Sequence, residues 1–170
     1  MNRIVIALTM SSVLALAACK KEPPEEIPPA PRDVSTPAPT PAPTPRGPQP
    51  GSQAHFSSAM AGADTIYFDT DQYDIDATDM AALRRQAEYL TQYPSTRATV
   101  EGHADERGTR DYNLALGERR ANAARAYLVS LGIAESRLRV VSYGEERPVD
   151  TASTPAAWAR NRRAVTVMID

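Results

Sequence analysis

Apolar and polar positions alternate through Thr65-Ile66-Tyr67-Phe68, ahead of an acidic turn running from Asp69 to Asp74, and this two-residue period predicts a first strand. The period then changes. Met80, Leu83, Ala87 and Leu90 recur at helical spacing after Asp76 or Thr78, either of which suits an N-cap, until Tyr93-Pro94 stops the helix. Arg97 to His103 returns to alternation, with Ala98, Val100 and Gly102 on one face, and reads as a second strand. Beyond the loop Ala104 to Thr109, a long helix is expected from about Asp111 to Leu131. Its inner stripe is Leu116, Ala123, Ala124, Tyr127 and Leu131, and Gly132 stops it. Arg137 to Tyr143 is a third strand, Thr154-Pro155 opens a short helix through Trp158, and Ala164 to Ile169 is a β-branched last strand. The order β-α-β-α-β-α-β predicts an α/β chain of the α+β kind: a two-layer sandwich with helices on one face of a mixed sheet.

The first third of the chain has a different character. Ile4 to Ala18 is an apolar run behind a single positive charge at Arg3. It falls short of the roughly 20 residues that span a bilayer and suits the apolar region of a secretory signal peptide. Leu16-Ala17-Ala18-Cys19 resembles the bacterial lipobox, which implies cleavage before Cys19 and acylation of its thiol. Two or three acyl chains anchor stably where one holds marginally. Lys20 after the cysteine, by resemblance to sorted lipoproteins, favours the outer membrane, with the domain facing the periplasm. Twelve of the 15 prolines then fall within residues 23–50, where missing amide hydrogens and a fixed φ leave polyproline II or disorder. At about 3.1 Å per residue this segment reaches at most roughly 90 Å, which suits a tether. The expected organisation is a signal peptide over 1–18, a lipidated N-terminus and tether over 19–63, and a folded domain over 64–170.

Charge and cysteine content narrow the chemistry. The 170 residues carry 19 Lys and Arg against 21 Asp and Glu, for a net charge of −2, which lacks the basic excess of a nucleic-acid binder. Cys19 is the sole cysteine, excluding an intramolecular disulfide or a multi-cysteine zinc site. Asp69, Asp71, Asp74 and Asp76 suggest a calcium loop, yet an EF-hand register from Asp69 puts Asp74 where glycine belongs and Met80 where the bidentate glutamate belongs. His103 beside Asp105 and Glu106 suggests a metal hydrolase, but the second histidine, His55, lies in or beside the tether. No nucleophile elbow or phosphate-cradling loop is visible in the sequence, so neither a catalytic centre nor a cofactor is expected.

The informative constellation joins the loop Gly102 to Thr109 to the helix that follows. Asn113, Leu116 and Arg120 stand at i, i+3 and i+7 and share a face, while Asp105 approaches from the loop. A carboxylate and an arginine held apart on a rigid frame complement the ammonium and carboxylate of one ligand carbon. The structural alternative is that Asp105 or Glu106 pairs with a nearby arginine and caps the helix. Spacing leaves both open. Between residues 64 and 170, 14 arginines face 17 acidic residues, so Arg160, Arg162 and Arg163 read as members of mixed ion pairs, with Arg162 and Arg163 placed to support the binding loop.

Glu101 to Thr109, Tyr112-Asn113, Leu116 to Ala121, Ser142 to Glu146 and Asn161 to Val165 together resemble the OmpA C-terminal-like family over residues 64–170. The resemblance implies noncovalent binding of the peptidoglycan stem peptide, chiefly through the free ammonium and carboxylate of meso-diaminopimelate. Carried over by position, Asp105 takes the ammonium and Arg120 the carboxylate, while Asp71, Arg107, Asn113 and Leu116 match other ligand-contacting positions. Thr70 departs from the apolar or aromatic residue common there. The resemblance further implies Tol proteins as partners, among them a periplasmic β-propeller, with a role in envelope integrity and cell division.

Overall fold

A computed structural model describes residues 47–169. The expected signal peptide, Cys19 and most of the proline-rich tether lie outside the described residues. Among the described residues no helix is long and apolar enough to cross a membrane.

The elements in chain order are α1 (Gln53–Met60), β1 (Thr65–Tyr67), α2 (Ala77–Gln92), β2 (Arg97–His103), α3 (Arg110–Ser130), a 3₁₀ turn (Glu135–Arg137), β3 (Leu138–Gly144), α4 (Pro155–Asn161) and β4 (Arg163–Ile169). The sheet order is β1-β4-β2-β3, with β4 antiparallel to both neighbours and β2 parallel to β3. Val100 pairs with Val140 on one side and Thr166 on the other. The last strand thus lies between the first and second, completing the sheet only when the whole chain is present.

Helix starts follow from local chemistry. The Asp76 side chain accepts the Asp79 amide at 2.7 Å, Thr109 accepts that of Tyr112 at 3.3 Å, and Thr154 accepts that of Ala157 at 3.3 Å with Pro155 in the first turn. Each cap satisfies an amide that lacks an intrahelical partner. At the far end of α2, Arg137 donates to the carbonyls of Leu90, Tyr93 and Thr96 at 2.8–2.9 Å. A cation at a helix C-terminus is favoured by the local dipole as well.

Two expectations are corrected. The domain begins before residue 64: α1 lies in the segment read as tether, yet it buries Phe56 completely and Met60 almost so. It is also tied to the sheet and to α2, through the Met168 amide on Gln53 Oε1 at 2.7 Å and the His55 Nδ1 contact with Tyr89 Oη at 2.8 Å. A helix of 8 residues beside a proline-rich segment carries too weak a pattern to stand out, and tertiary packing stabilises it. The second correction concerns α3, whose buried line runs through Asn113, Leu116, Gly117, Arg120, Ala121, Ala124 and Leu128. Ala123 and Tyr127 are only half-buried, and Leu131 is exposed. The reason is a close approach of backbones. A Cβ on Gly102 would lie 1.8 Å from the Gly117 carbonyl oxygen, so α3 rests on β2 along its smallest residues rather than its largest. The remaining core joins Ile66, Leu83, Leu90, Ala98, Val100, Leu138 and Met168 to α1 and α3.

Candidate functional site

That glycine contact sets the depth at which the first turns of α3 meet the β1–α2 loop and the β2–α3 loop. Asp71, Asp105, Arg107, Asn113, Leu116 and Arg120 all line one cavity of about 260 Å³ there, together with Thr70, Gly108, Tyr112 and Arg162. Asn113, Leu116 and Arg120 share the buried face of α3, as their spacing predicts.

Arg120 is wholly buried. Its Nε donates to the Gln72 carbonyl at 2.8 Å, and its terminal nitrogens donate to the carbonyls of His103 at 2.8 Å and Asp69 at 3.0 Å. The guanidinium also lies over the Phe68 ring at 5.2 Å. Burial, with the Arg162 charge, pushes its pKa down to about 10, against the opposing pull of Asp105 and Asp71. It remains a cation at neutral pH, and its carbonyl bonds pin the first half of the β1–α2 loop, at Asp69 and Gln72, and the end of β2, at His103, to α3.

Asp105 is buried too, and it is already paired. Its carboxylate accepts from Arg107 through the backbone amide at 3.1 Å, Nε at 2.9 Å and a terminal nitrogen at 2.7 Å, and from Arg162 at 3.3 Å. Burial by itself would push this carboxyl up, but the Arg107 hydrogen bonds and charge, with Arg162, hold it below the usual carboxylate range. The pairing half of the structural alternative is therefore present, whereas its capping half is not, since Thr109 caps α3.

The rest of the rim holds these charges in place. Asn113 donates to the Arg107 carbonyl at 3.0 Å and to the Glu145 carboxylate. Asp71 adopts a left-handed φ of 58° and accepts the Tyr112 hydroxyl at 3.1 Å. Thr70, at the departing position, accepts from an Arg107 terminal nitrogen on its hydroxyl oxygen at 3.3 Å. Arg162 also donates to the Phe68 carbonyl at 2.9 Å and so joins Asp105 to the β1–α2 loop while lining the cavity, whereas Arg163 donates to the carbonyls of Asn161 and Arg147, away from the loop it was expected to support. Tyr112 and Gly108 are lining residues that spacing did not single out. An aromatic side chain exposed in the first turn of α3 was the available signal for Tyr112.

His103 is turned away from this chemistry. Its ring is buried against Tyr143 at 5.6 Å, neither ring nitrogen has a hydrogen-bond partner, and burial beside Arg163 and Arg147 pushes its pKa down to about 4. The acidic turn is also put to other uses, Asp76 as a cap and Asp71 as the Tyr112 acceptor. Among the described residues no group of three or more histidine, cysteine or carboxylate side chains is placed to hold a metal ion.

Comparison with known proteins places this geometry in context. Residues 67–162 match the model of the OmpA family. A peptidoglycan-associated lipoprotein of Rhizobium meliloti is 47% identical over 98% of this chain and 88% of its own length. The protein of the same name from Mesorhizobium japonicum is 45% identical over 98% and 92%. Among solved structures, the peptidoglycan-associated lipoprotein of Burkholderia pseudomallei is 42% identical over 62% of this chain and 89% of its own, with a TM-score of 0.60. The C-terminal domain of Helicobacter pylori MotB, 19% identical over 62% and 84% with a TM-score of 0.59, shares the fold. With identity of this order along almost the whole length, the chain belongs to the OmpA family and, within it, to the peptidoglycan-associated lipoproteins.

Proposed function

We propose that this chain is a noncatalytic adaptor that binds the peptidoglycan stem peptide in the cavity between the β1–α2 loop, the β2–α3 loop and the start of α3. Asp105 receives the ammonium of meso-diaminopimelate and Arg120 its carboxylate, with Leu116 as apolar wall and Asp71, Arg107 and Asn113 completing the rim. The observation that carries this reading is the convergence of all six residues on one cavity holding opposite charges. Of the five N–H groups of an arginine, three of those on Arg120 are committed to carbonyls, which leaves two for a carboxylate. Acylated Cys19 and the tether then join this hold on the wall to the outer membrane, two reversible attachments acting through one linker. Partnership with Tol proteins, including the periplasmic β-propeller, and a part in envelope integrity and outer-membrane invagination at division complete the proposal. A metal-dependent hydrolase is disfavoured because the His103 ring is buried against Tyr143 and does not line the cavity.

The test is co-sedimentation with purified peptidoglycan. Asp105→Asn removes the charge and keeps the shape, so the variant is expected to stay in the supernatant while its circular dichroism matches the parent. Titration with a soluble muropeptide containing diaminopimelate, followed by NMR, is expected to move resonances around Asp71, Asp105 and Arg120. Undiminished sedimentation of a folded Asp105→Asn variant rejects the assignment.

A further inference from the structure

We infer that Arg107 is a built-in stand-in for the ligand's ammonium, and that exchange of the Arg107–Asp105 pair for a zwitterionic head group makes the cavity selective against simple amines. This role rests on the stem-peptide reading above. Both carboxylate oxygens of Asp105 are covered by Arg107, at 2.9 Å and 2.7 Å, so an incoming ammonium finds its acceptor occupied. The two partners differ sharply in exposure, 41% for the Arg107 side chain and 7% for that of Asp105. Arg107 can leave cheaply because its solvated guanidinium is screened and keeps its hydration. Asp105 would keep only the longer contacts, Arg162 at 3.3 Å and the Arg107 backbone amide at 3.1 Å, and a buried carboxylate that loses its two shortest bonds is penalised. Substitution is therefore favoured over simple opening.

What replaces Arg107 must also give it somewhere to go. Its guanidinium already lies over the Trp158 ring at 4.4 Å, and Trp158 is held by its indole N–H on the Glu106 carboxylate at 2.9 Å. The terminal nitrogen that binds Asp105 also donates to the hydroxyl of Thr70, a second residue of the cavity lining, at 3.3 Å, so the guanidinium has an acceptor that stays in place when Asp105 is taken. A ligand bearing an ammonium and a carboxylate on one carbon satisfies both halves of the broken pair: the ammonium takes Asp105, and the carboxylate held by Arg120 still has lone pairs to accept from the released Arg107 fork. A primary amine alone, as on a lysine side chain, displaces Arg107 and returns nothing to it. Charge is conserved in the first exchange and left unmatched in the second.

The test compares two soluble muropeptides that differ only in the third residue of the stem, meso-diaminopimelate or lysine. The full chain is titrated with each, with NMR detection to read weak binding. The parent is expected to favour the diaminopimelate peptide. In Arg107→Ala the lysine peptide is expected to bind roughly tenfold tighter, the scale of one charge-assisted contact freed on Asp105, while the diaminopimelate peptide gains nothing or weakens. Arg107→Lys, which keeps the charge without the planar fork, is expected to restore part of the parent's preference and guards against a folding artefact in the alanine variant. Lysine-peptide affinity that is unchanged or weaker in Arg107→Ala overturns the exchange even where the parent still binds the diaminopimelate peptide. Failure of the parent to bind either peptide overturns the stem-peptide reading and the exchange with it.

Discussion

His103 offers a direct measurement of what burying an imidazole costs this fold. It is 2% exposed, stacks on Tyr143 and has no hydrogen-bond partner on either nitrogen; the Glu101 carboxylate lies 3.8 Å from Nε2, but burial, with the Arg163 and Arg147 charges, outweighs it and the folded state opposes protonation. Its pKa drops from an ordinary 6.5 to about 4. With a folded value below the unfolded one, the unfolded chain binds the extra proton, and stability rises with pH across the interval between them. Stability is thus complete above pH 6.5 and declines as the pH falls toward 4. At ~1.4 kcal/mol per pH unit the loss amounts to about 3 kcal/mol at pH 4 and about 2 kcal/mol at pH 5. Two buried carboxyls act in opposite senses at lower pH. Burial raises the Asp79 pKa, so acid relieves it, whereas the depressed Asp105 loses its contribution below the usual carboxylate range. His103→Met removes the titrating group at similar volume and keeps a favourable contact for the Tyr143 ring. Urea unfolding of both proteins at pH 7, 6, 5 and 4.5 isolates the histidine as the difference between two curves. The parent is expected to lose stability more steeply than the variant between pH 6.5 and 4.5. Parallel curves refute the assignment of a buried neutral imidazole.

Two further expectations address the scaffold. Phe56→Ala empties a completely buried site and is expected to cost about 3–5 kcal/mol in urea unfolding, whereas an α1 that merely lay on the surface gives a change near zero. Gly102→Ala places a methyl group 1.8 Å from the Gly117 carbonyl oxygen and is expected to cost about 3 kcal/mol or more. Gly117→Ala is milder, because its new Cβ meets the Ser142 hydroxyl at 2.4 Å and comes no nearer to backbone than 2.9 Å, at the Gly102 carbonyl oxygen, while helix propensity returns roughly 1 kcal/mol; thermal unfolding that reverses this order contradicts the packing described.

Local periodicity was enough to place the strands and the three later helices within a few residues, because alternation and helical spacing reflect which side of an element meets the core. Asp76 and Thr154 were legible as caps for the same reason: the interaction spans three residues. Helical spacing put Asn113, Leu116 and Arg120 on one face with Asp105 beside it, whereas Asp71 and Arg107 entered only through motifs carried over by position. What sequence could not supply was pairing across long separations. Placement of β4 between β1 and β2, the burial of Phe56 under α2, and the seating of α3 on two glycines depend on contacts between segments far apart in the chain. Glycine and alanine carry little hydrophobic signal, so the true contact line of α3 was displaced from the line its larger residues suggested. The charges show the same division. Motif and spacing singled out Asp105, Arg107 and Arg120, but only the folded loops decided that Arg120 serves three carbonyls while Arg107 covers Asp105. An ionised group takes whichever partner the tertiary fold brings within reach in a low-dielectric pocket, and that distance is not written in the order of the residues.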